Sequence, residues 1–225
     1  MNIMKKKIVH SVILARGGSK GILNKNLHPV KSKPLIYWSI KRSLQSKKIN
    51  KTWVSSDSKK IISYSKKIGA NIIERPSKFA TDNSSSEVAW LHAARKLKND
   101  ADIIVGIQPT SPIRDSKDFD NALIKFTKNK YDSLFSALKI KDFFVWKKNN
   151  SKLTANYNFK KRPRRQNINT KFHENGSFYI FQTKKFLKYK CRLFEKIGIY
   201  EMKKIKSFQI DDHDDIKIIE RLMGK

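Results

Sequence analysis

The stretch Ile8-Val9-His10-Ser11-Val12-Ile13-Leu14 runs directly into Ala15-Arg16-Gly17-Gly18-Ser19-Lys20-Gly21. The apolar run predicts a buried first strand, and the loop after it has the glycines and cations that suit a phosphate chain. Paired glycines let backbone N–H groups approach phosphate closely, while Arg16 and Lys20 would neutralise its charge. The loop lacks the spacing of a P-loop and of a dinucleotide fingerprint. Considered alone, it could equally be a plain glycine turn.

Beyond this stretch, strand-like apolar runs alternate with helical stretches. The predicted strands are 8–14, 52–55, 71–74, 102–107, 132–137, 176–181 and 197–202, and the predicted helices are 34–44, 58–68, 85–97, 117–126 and 216–223. This alternation is typical of an α/β domain with a largely parallel sheet. We therefore predict one three-layer α/β domain spanning residues 1–225.

The alternation stops between Lys139 and Lys171. This segment is polar and rich in Lys and Asn, yet it carries two aromatic islands, Phe143-Phe144-Val145-Trp146 and Tyr157-Asn158-Phe159. A disordered linker would be poorer in aromatic residues. We therefore interpret residues 139–171 as an inserted arm, called the arm below.

The chain has 50 basic and 19 acidic residues and a net charge of +31. Such a charge would by itself favour a nucleic-acid-binding protein. The lysines are, however, dispersed through nearly every segment alongside Ile and Asn, all residues of AT-rich codons, whereas polyanion binders cluster Arg and Lys on one face. We predict no nucleic-acid partner, although basic nucleic-acid binding stays open as an alternative function. The excess charge could also draw in small anionic substrates.

Composition also bears on the compartment. The longest apolar runs, such as 103–107, are far shorter than the ~20 residues of a membrane span, so we expect no membrane partner. The first residues lack the hydrophobic region and cleavage site of a signal peptide. The single cysteine, Cys191, cannot form an internal disulfide. These features predict a cytoplasmic protein.

Further motifs follow the first loop in a fixed order: Lys25-Asn26, Arg75-Pro76 leading to Thr81-Asp82, Gln108-Pro109-Thr110-Ser111-Pro112-Ile113-Arg114, Arg164-Arg165-Gln166 and Glu174-Asn175-Gly176. From about Val9 to Leu222, this ordered set resembles the acylneuraminate cytidylyltransferases, which make CMP-activated sialic acids. The resemblance implies a nucleotide-diphospho-sugar transferase-like (Rossmann-like) fold. It implies that CMP passes from CTP to the anomeric hydroxyl of a nine-carbon 2-keto sugar acid of sialic, legionaminic or pseudaminic type, with release of pyrophosphate. It also implies Mg²⁺ as cofactor and a homodimer in which the arm packs against the second subunit.

The resemblance assigns roles residue by residue. Arg16 and Lys20 would be catalytic, in keeping with the preplaced cations that phosphoryl transfer needs. The nucleotide would be bound by Arg16, Gly17, Gly18, Ser19, Lys20, Asn26, Thr81 and Asp82. The sugar would be bound by Gln108, Ser111, Arg165, Asn175 and Gly176. The guanidinium of Arg165 could pair with the sugar carboxylate through two parallel bonds. Two alternatives stay open: Gln108 as a turn-capping amide, and the arm arginines as surface charge.

The acidic run Asp211-Asp212-His213-Asp214-Asp215 stands out in so basic a chain. Relatives usually show Asp-x-Asp here, whereas this chain reads Gln209-Ile210-Asp211. Because Mg²⁺ prefers carboxylate oxygens together with substrate phosphates, we predict Asp211 as the metal ligand. Asp212 or Asp214 would instead cap the last helix. The missing acid at Gln209 leaves open a catalytically silent sugar-nucleotide binder.

Overall fold

The computed structural model describes residues 7–19, 21–141 and 144–224, without the side chain of Arg165. Its strands are β1 (Val9–Leu14), β2 (Pro29–Val30), β3 (Lys33–Pro34), β4 (Lys51–Ser56), β5 (Asn71–Glu74), β6 (Ile103–Ile107), β7 (Ser133–Ile140), β8 (Trp146–Asn149), β9 (Lys152–Ala155), β10 (Lys171–Gln182) and β11 (Ile197–Met202). Its helices are α1 (Leu35–Leu44), α2 (Lys59–Lys67), α3 (Ser86–Leu97), α4 (Ser116–Lys128), α5 (Thr183–Tyr189) and α6 (His213–Leu222).

A seven-stranded sheet in the order β11-β7-β10-β6-β1-β4-β5 forms the centre of the protein. Neighbouring strands run parallel except at β10, which pairs antiparallel with both β6 and β7. Strands β1 and β6 are mostly apolar and buried because helices cover both faces of the sheet. The predicted mostly parallel sheet is confirmed.

Two apolar clusters define the layers on either side of the sheet. One contains side chains of α1, α2 and α4, including Ile40, Ile61 and Phe126. The other contains side chains of α3 and α5, including Trp90 and Phe186. The predicted three-layer α/β class is therefore confirmed. No helix of the described residues is both long and apolar enough to cross a membrane.

A third, smaller cluster fixes the C-terminal part of the chain. Ile216 and Ile219 of α6 pack with Ile22, Val30 and Leu35 from the segment that follows the first loop. Burial of such side chains stabilises this contact by about 1.5–3 kcal/mol for each one fully removed from water. This contact places the residues before α6 beside the carboxyl end of β1.

Most predicted elements agree with the observed ones to within a few residues, but β10 begins five residues earlier than predicted. Its polar start, Lys171, pairs with Ile140 of β7, and the register shifts between Glu174 and Tyr179. Helix α5 was not predicted, because its sequence carries three lysines and offers the core only a short apolar face.

The arm leaves the sheet at the end of β7 and returns at the start of β10. It contains a separate two-stranded hairpin, β8 with β9. Its aromatic rings contact each other, with centroid distances of 4.4 Å for Phe144 and Tyr157 and 5.2 Å for Trp146 and Phe159. Trp146 and Phe159 nevertheless remain exposed. The use of the arm in a homodimer stays a prediction.

Candidate active site

A cleft of about 530 Å³ opens at the carboxyl ends of β1, β5 and β6, which is where open α/β sheets place ligands. Several predicted site residues line it: Arg16, Ser19, Asn26, Thr81, Asp82, Gln108 and Asp211. They come from segments nearly two hundred residues apart in the chain. The fold thus brings most of the predicted nucleotide residues and the predicted metal ligand to one place.

The first loop is held in position by backbone and side-chain hydrogen bonds. Gly17 N donates to Asp57 Oδ1 at 3.0 Å, and Asn26 Nδ2 donates to the carbonyl oxygen of Arg16 at 2.9 Å. A Cβ atom on Gly21 would lie 2.7 Å from the carbonyl oxygen of Asp211, closer than real Cβ atoms approach. Glycine at position 21 therefore allows the loop to pack directly against the segment that carries Asp211.

The cations of the cleft are partnered by carboxylates. Arg16 Nη1 lies 2.8 Å from Asp82 Oδ1, and Lys25 Nζ lies 3.2 Å from Asp211 Oδ1. Lys25 also donates to the carbonyl oxygen of Ile210 at 3.0 Å. The positive charge expected at a phosphate site is thus present, and acidic side chains neutralise it within the protein.

Lys25 and Arg75 line the cleft although they were not among the predicted site residues. Arg75 is almost fully buried, and its Nη2 lies 3.9 Å from Asp57 Oδ1. Burial lowers the pKa of Arg75, Asp57 raises it and the neighbouring Arg16 lowers it further. Both residues belong to motifs identified in the sequence, Lys25-Asn26 and Arg75-Pro76. Their place in these motifs is the signal that could have assigned them to the site.

Two predicted residues fall partly or wholly outside the described part of the structure. Lys20 is not among the described residues, so its assignment stays a prediction. Arg165 begins a short 3-10 turn, Arg165–Asn167, in the arm, and its side chain is not described. Gly17 and Gly18 belong to the first loop but do not line the cleft.

Ser111 and Asn175, predicted as sugar contacts, have fully buried side chains and do not line the cleft. Asn175 Oδ1 accepts from Ser136 Oγ at 2.7 Å, and its Nδ2 donates to Ser207 Oγ at 3.0 Å. These internal bonds place Asn175 within the framework of the site. Buried polar groups of this kind fix one local conformation because breaking their bonds is costly.

Gly176 occupies the irregular part of β10 with a φ angle of +62°. L-residues with a Cβ adopt this region rarely, so glycine is favoured here. An added Cβ would also lie 3.1 Å from Gln209 Nε2 and 3.3 Å from Gln108 Oε1. Gly176 therefore allows two amide side chains to meet beside the backbone of β10.

Arg114 ends the motif that begins with Gln108, and it is fully buried. Its Nη1 donates to the carbonyl oxygen of Ser177 at 2.8 Å, and its Nη2 donates to the carbonyl oxygen of Gln108 at 2.6 Å. Nη2 also donates to Ser39 Oγ. Burial lowers the pKa of Arg114 to about 9, partly offset by Asp118. Arg114 thus ties the Gln108 loop to β10 from beneath the cleft.

The predicted metal ligand, Asp211, is exposed at the cleft, whereas Gln209 does not line it. Gln209 Nε2 donates to the carbonyl oxygen of Asn175, and Gln209 Oε1 accepts from Thr110 Oγ1 at 3.5 Å. The described residues contain no group of three or more His, Cys, Asp or Glu side chains suited to a metal. One carboxylate together with phosphate oxygens is nevertheless a donor set that fits Mg²⁺.

Asp212 has the capping role that the sequence left open between it and Asp214. Its side chain accepts hydrogen bonds from the backbone N–H groups of Asp214 and Asp215, at 2.9 and 3.0 Å. Asp215 in turn bonds the backbone N–H of Asp212, which completes a capping box. The acidic run therefore divides into one carboxylate at the cleft and others that stabilise the start of α6.

A family model described as Cytidylyltransferase matches residues 11–225. The chain is 35% identical over 222 residues to N-acylneuraminate cytidylyltransferase A of Danio rerio, covering 96% of this chain and 51% of that protein. It is 29% identical over 185 residues to the pseudaminic acid cytidylyltransferase of Campylobacter jejuni, covering 78% and 79% of the two chains. The chain thus spans about half the length of the Danio rerio relative.

Solved structures show the same fold. A CMP:2-keto-3-deoxy-manno-octonic acid synthetase complexed with CTP superposes with a TM-score of 0.73 at 18% identity, covering 96% of this chain and 98% of that one. At this identity the likeness concerns the fold alone. It agrees with the expected nucleotide-diphospho-sugar transferase-like architecture.

Proposed function

Since the chain belongs to the cytidylyltransferase family, as its resemblance predicted, we propose that it transfers CMP from CTP to a nine-carbon 2-keto sugar acid. The observation that carries this proposal is the cleft, where the first loop, Asn26, Thr81, Asp82 and Gln108 face one volume together with Asp211. The names of the relatives support a sugar of sialic or pseudaminic type. They do not favour the alternative of a nucleic-acid-binding protein.

In the proposed reaction the anomeric hydroxyl oxygen of the sugar attacks the α-phosphorus of CTP. The bond from that phosphorus to the bridging oxygen of the β-phosphate breaks, pyrophosphate leaves with the bond electrons, and the proton of the hydroxyl passes to solvent water. Negative charge therefore grows on phosphate oxygens. Arg16 and Lys25 hold cationic groups at the cleft before the nucleotide arrives, and these groups would stabilise the growing charge.

The carboxylates of the cleft have a second consequence. Arg16 is paired with Asp82 and Lys25 with Asp211, so no unpaired charge has to be maintained at these two cations before substrate binds. An incoming triphosphate would compete with these carboxylates for the same cations. Asp211 would then be free to hold Mg²⁺. When bound, Mg²⁺ would neutralise phosphate charge and assist departure of pyrophosphate.

The sugar side of the cleft is proposed to be formed by Gln108 and by the arm, with Arg165 as the partner of the sugar carboxylate. Ser111, Asn175 and Gly176 would act indirectly by shaping the backbone around Gln108.

We also propose a homodimer that is built through the arm. Because its one cysteine cannot form an internal disulfide, we place the reaction in the cytoplasm.

Pyrophosphate release tests the proposed function. The protein is mixed with CTP, Mg²⁺ and, in separate reactions, sialic, legionaminic and pseudaminic acids, with ATP and UTP as nucleotide controls. We expect CTP-dependent release with at least one sugar, and its loss on chelation of the metal. Folded protein that shows no turnover with any of these sugars would contradict the proposal. A sugar that supports turnover would identify the substrate type.

A further inference from the structure

Arg192 lies in the segment between α5 and β11 and reaches across to the beginning of α3. Its Nη2 donates to Ser86 Oγ and to Glu87 Oε2, each at 2.6 Å. Its Nε donates to Glu87 Oε1, so the guanidinium forms a forked pair with this carboxylate. The guanidinium thereby joins two parts of the chain that lie about a hundred residues apart.

Two aromatic rings fix the position of this guanidinium. Its central carbon lies 4.9 Å from the centroid of the Trp90 ring and 4.7 Å from that of Tyr179. Both rings are almost fully buried, and their centroids are 5.4 Å apart. Arginine suits this position because its planar group can fork onto a carboxylate and lie over rings at the same time. A lysine would keep the charge but could not form the forked pair with Glu87.

The other side of this network opens into the cleft. Ser86, together with Ser85 and Ala89 from the same end of α3, lines the cleft volume. Because Ser86 Oγ accepts a bond from Arg192, its own hydrogen can be donated elsewhere. Within the protein Ser86 Oγ donates to Glu87 Oε2 at 3.4 Å, a long bond to an oxygen that already accepts from Arg192. An acceptor atom of a ligand in the cleft would compete well for this hydrogen.

We propose that Arg192 is a positioning residue for nucleotide binding, because it holds Ser86 as a hydrogen-bond donor that faces the cleft. This inference rests on the proposed function, since it takes the ligand of the cleft to be CTP. A charged donor to the hydroxyl oxygen also strengthens the bond that the hydroxyl gives, as successive hydrogen bonds polarise one another. Arg192 itself does not line the cleft and would act through Ser86.

The test measures CTP affinity by calorimetry for Ser86→Ala, Arg192→Lys and the double variant. Ser86→Ala should raise the dissociation constant about tenfold, the effect of one lost hydrogen bond. Arg192→Lys keeps the charge but loses the fork, and should raise the constant about three- to tenfold. If Arg192 acts through Ser86, the double variant should bind CTP as Ser86→Ala does. The KM for the sugar should stay unchanged.

Arg95→Lys supplies the matched control, since Arg95 lies on the exposed face of the same helix. This variant should bind CTP with the affinity of the wild type. Losses that add in the double variant would overturn the inference, because they would mean a general loosening of α3. Unchanged affinity in Arg192→Lys would overturn it too. If Arg192→Lys does not fold, Glu87→Gln tests the same fork and should weaken CTP binding. A wild-type protein that does not bind CTP would refute the proposed function itself, and the inference with it.

Discussion

The cleft and the arm are both rich in cations, but they neutralise them in different ways. In the cleft Arg16 pairs with Asp82, and Lys25 pairs with Asp211. The arm has eleven basic residues and only one acidic residue, Asp142, which lies outside the described residues. Within residues 144–171 the structure describes no ion pair; the central carbon of the Arg162 guanidinium lies instead 4.3 Å from the centroid of the Phe144 ring.

This difference separates a cleft whose cations are held by carboxylates from an arm whose cations lie in solvent. Charges fixed by partners before binding favour an anion that can replace those partners at low reorganisation cost. Charges of the arm lie in solvent, where salt screens them within about 10 Å. Substitutions in and beneath the cleft should therefore have larger effects than matched substitutions in the arm.

The strongest test of this contrast compares two arginines. Arg114→Met would remove the buried guanidinium that donates to Ser39 Oγ and to the carbonyl oxygens of Gln108 and Ser177, and should lower the free energy of unfolding by about 3–5 kcal/mol. Arg162→Met removes an exposed cation over a ring and should cost about 1 kcal/mol or less. Urea unfolding measures both. Equal losses would show that the arm is as firmly integrated as the framework of the cleft.

The next effect concerns catalysis. Asp211→Asn removes the predicted metal ligand, and should lower kcat/KM with CTP by about 10²-fold or more, as expected for a lost electrostatic contact to the reacting phosphates. The fold should be unaffected because Asp211 is exposed. Asp214→Asn is the matched control, since Asp214 is an exposed carboxylate nearby that pairs with Lys217. Pyrophosphate release at several Mg²⁺ concentrations measures the effect, and full activity of Asp211→Asn would place the metal elsewhere.

The strands of the sheet could be predicted from the sequence because most of them are short apolar runs, which local composition alone reveals. Strands β1 and β6 carry few polar residues, so burial dictates their conformation whatever surrounds them. The antiparallel orientation of β10 could not be predicted, because it depends on the route of the arm between β7 and β10. The hairpin within the arm was also missed, since its strands are exposed and have no apolar alternation.

Within the site, the order of the motifs predicted which residues lie near the cleft, but not which of their side chains are buried beneath it. Ser111 and Asn175 occupy the motifs as expected, yet their side chains are buried among other framework residues. Gln209 was interpreted as a substituted metal ligand, whereas its amide donates to the carbonyl oxygen of Asn175. Side-chain direction depends on packing between distant segments, and a linear motif does not contain that information.

A smaller effect is expected for association through the arm. Trp146 and Phe159 are 43% and 54% exposed, so replacing either with serine should hardly change the stability of one subunit. If these rings are buried between subunits, each substitution should raise the dimer dissociation constant about tenfold or more. The dimer should persist in high salt because screening does not weaken apolar burial.

Light scattering over a concentration series measures the dissociation constant and its salt dependence, with Ile124→Ser as an exposed control outside the arm. A monomeric wild-type protein at micromolar concentration would contradict the expected dimer.

The smallest effect is an acid dependence that should arise beside the cleft and not in the arm. Burial alone would raise the pKa of Glu87, but hydrogen bonds and charge from Arg192 outweigh it and hold that pKa below its ordinary value of 4.5. The unfolded chain therefore binds the proton more readily, and the stability from this pair is complete above pH 4.5 and lost as pH falls through the lower pKa of the folded state.

Glu87→Gln should consequently unfold at a lower urea concentration than the wild type at pH 7, and this difference in urea midpoint, the gap, should narrow as the pH falls below 4.5. Arg162→Met, which touches no carboxylate among the described residues, should keep a constant gap from the wild type over the same range. A constant gap for Glu87→Gln would show that the forked pair contributes no ionic stabilisation, and that hydrogen bonds and aromatic contacts hold Arg192 at α3.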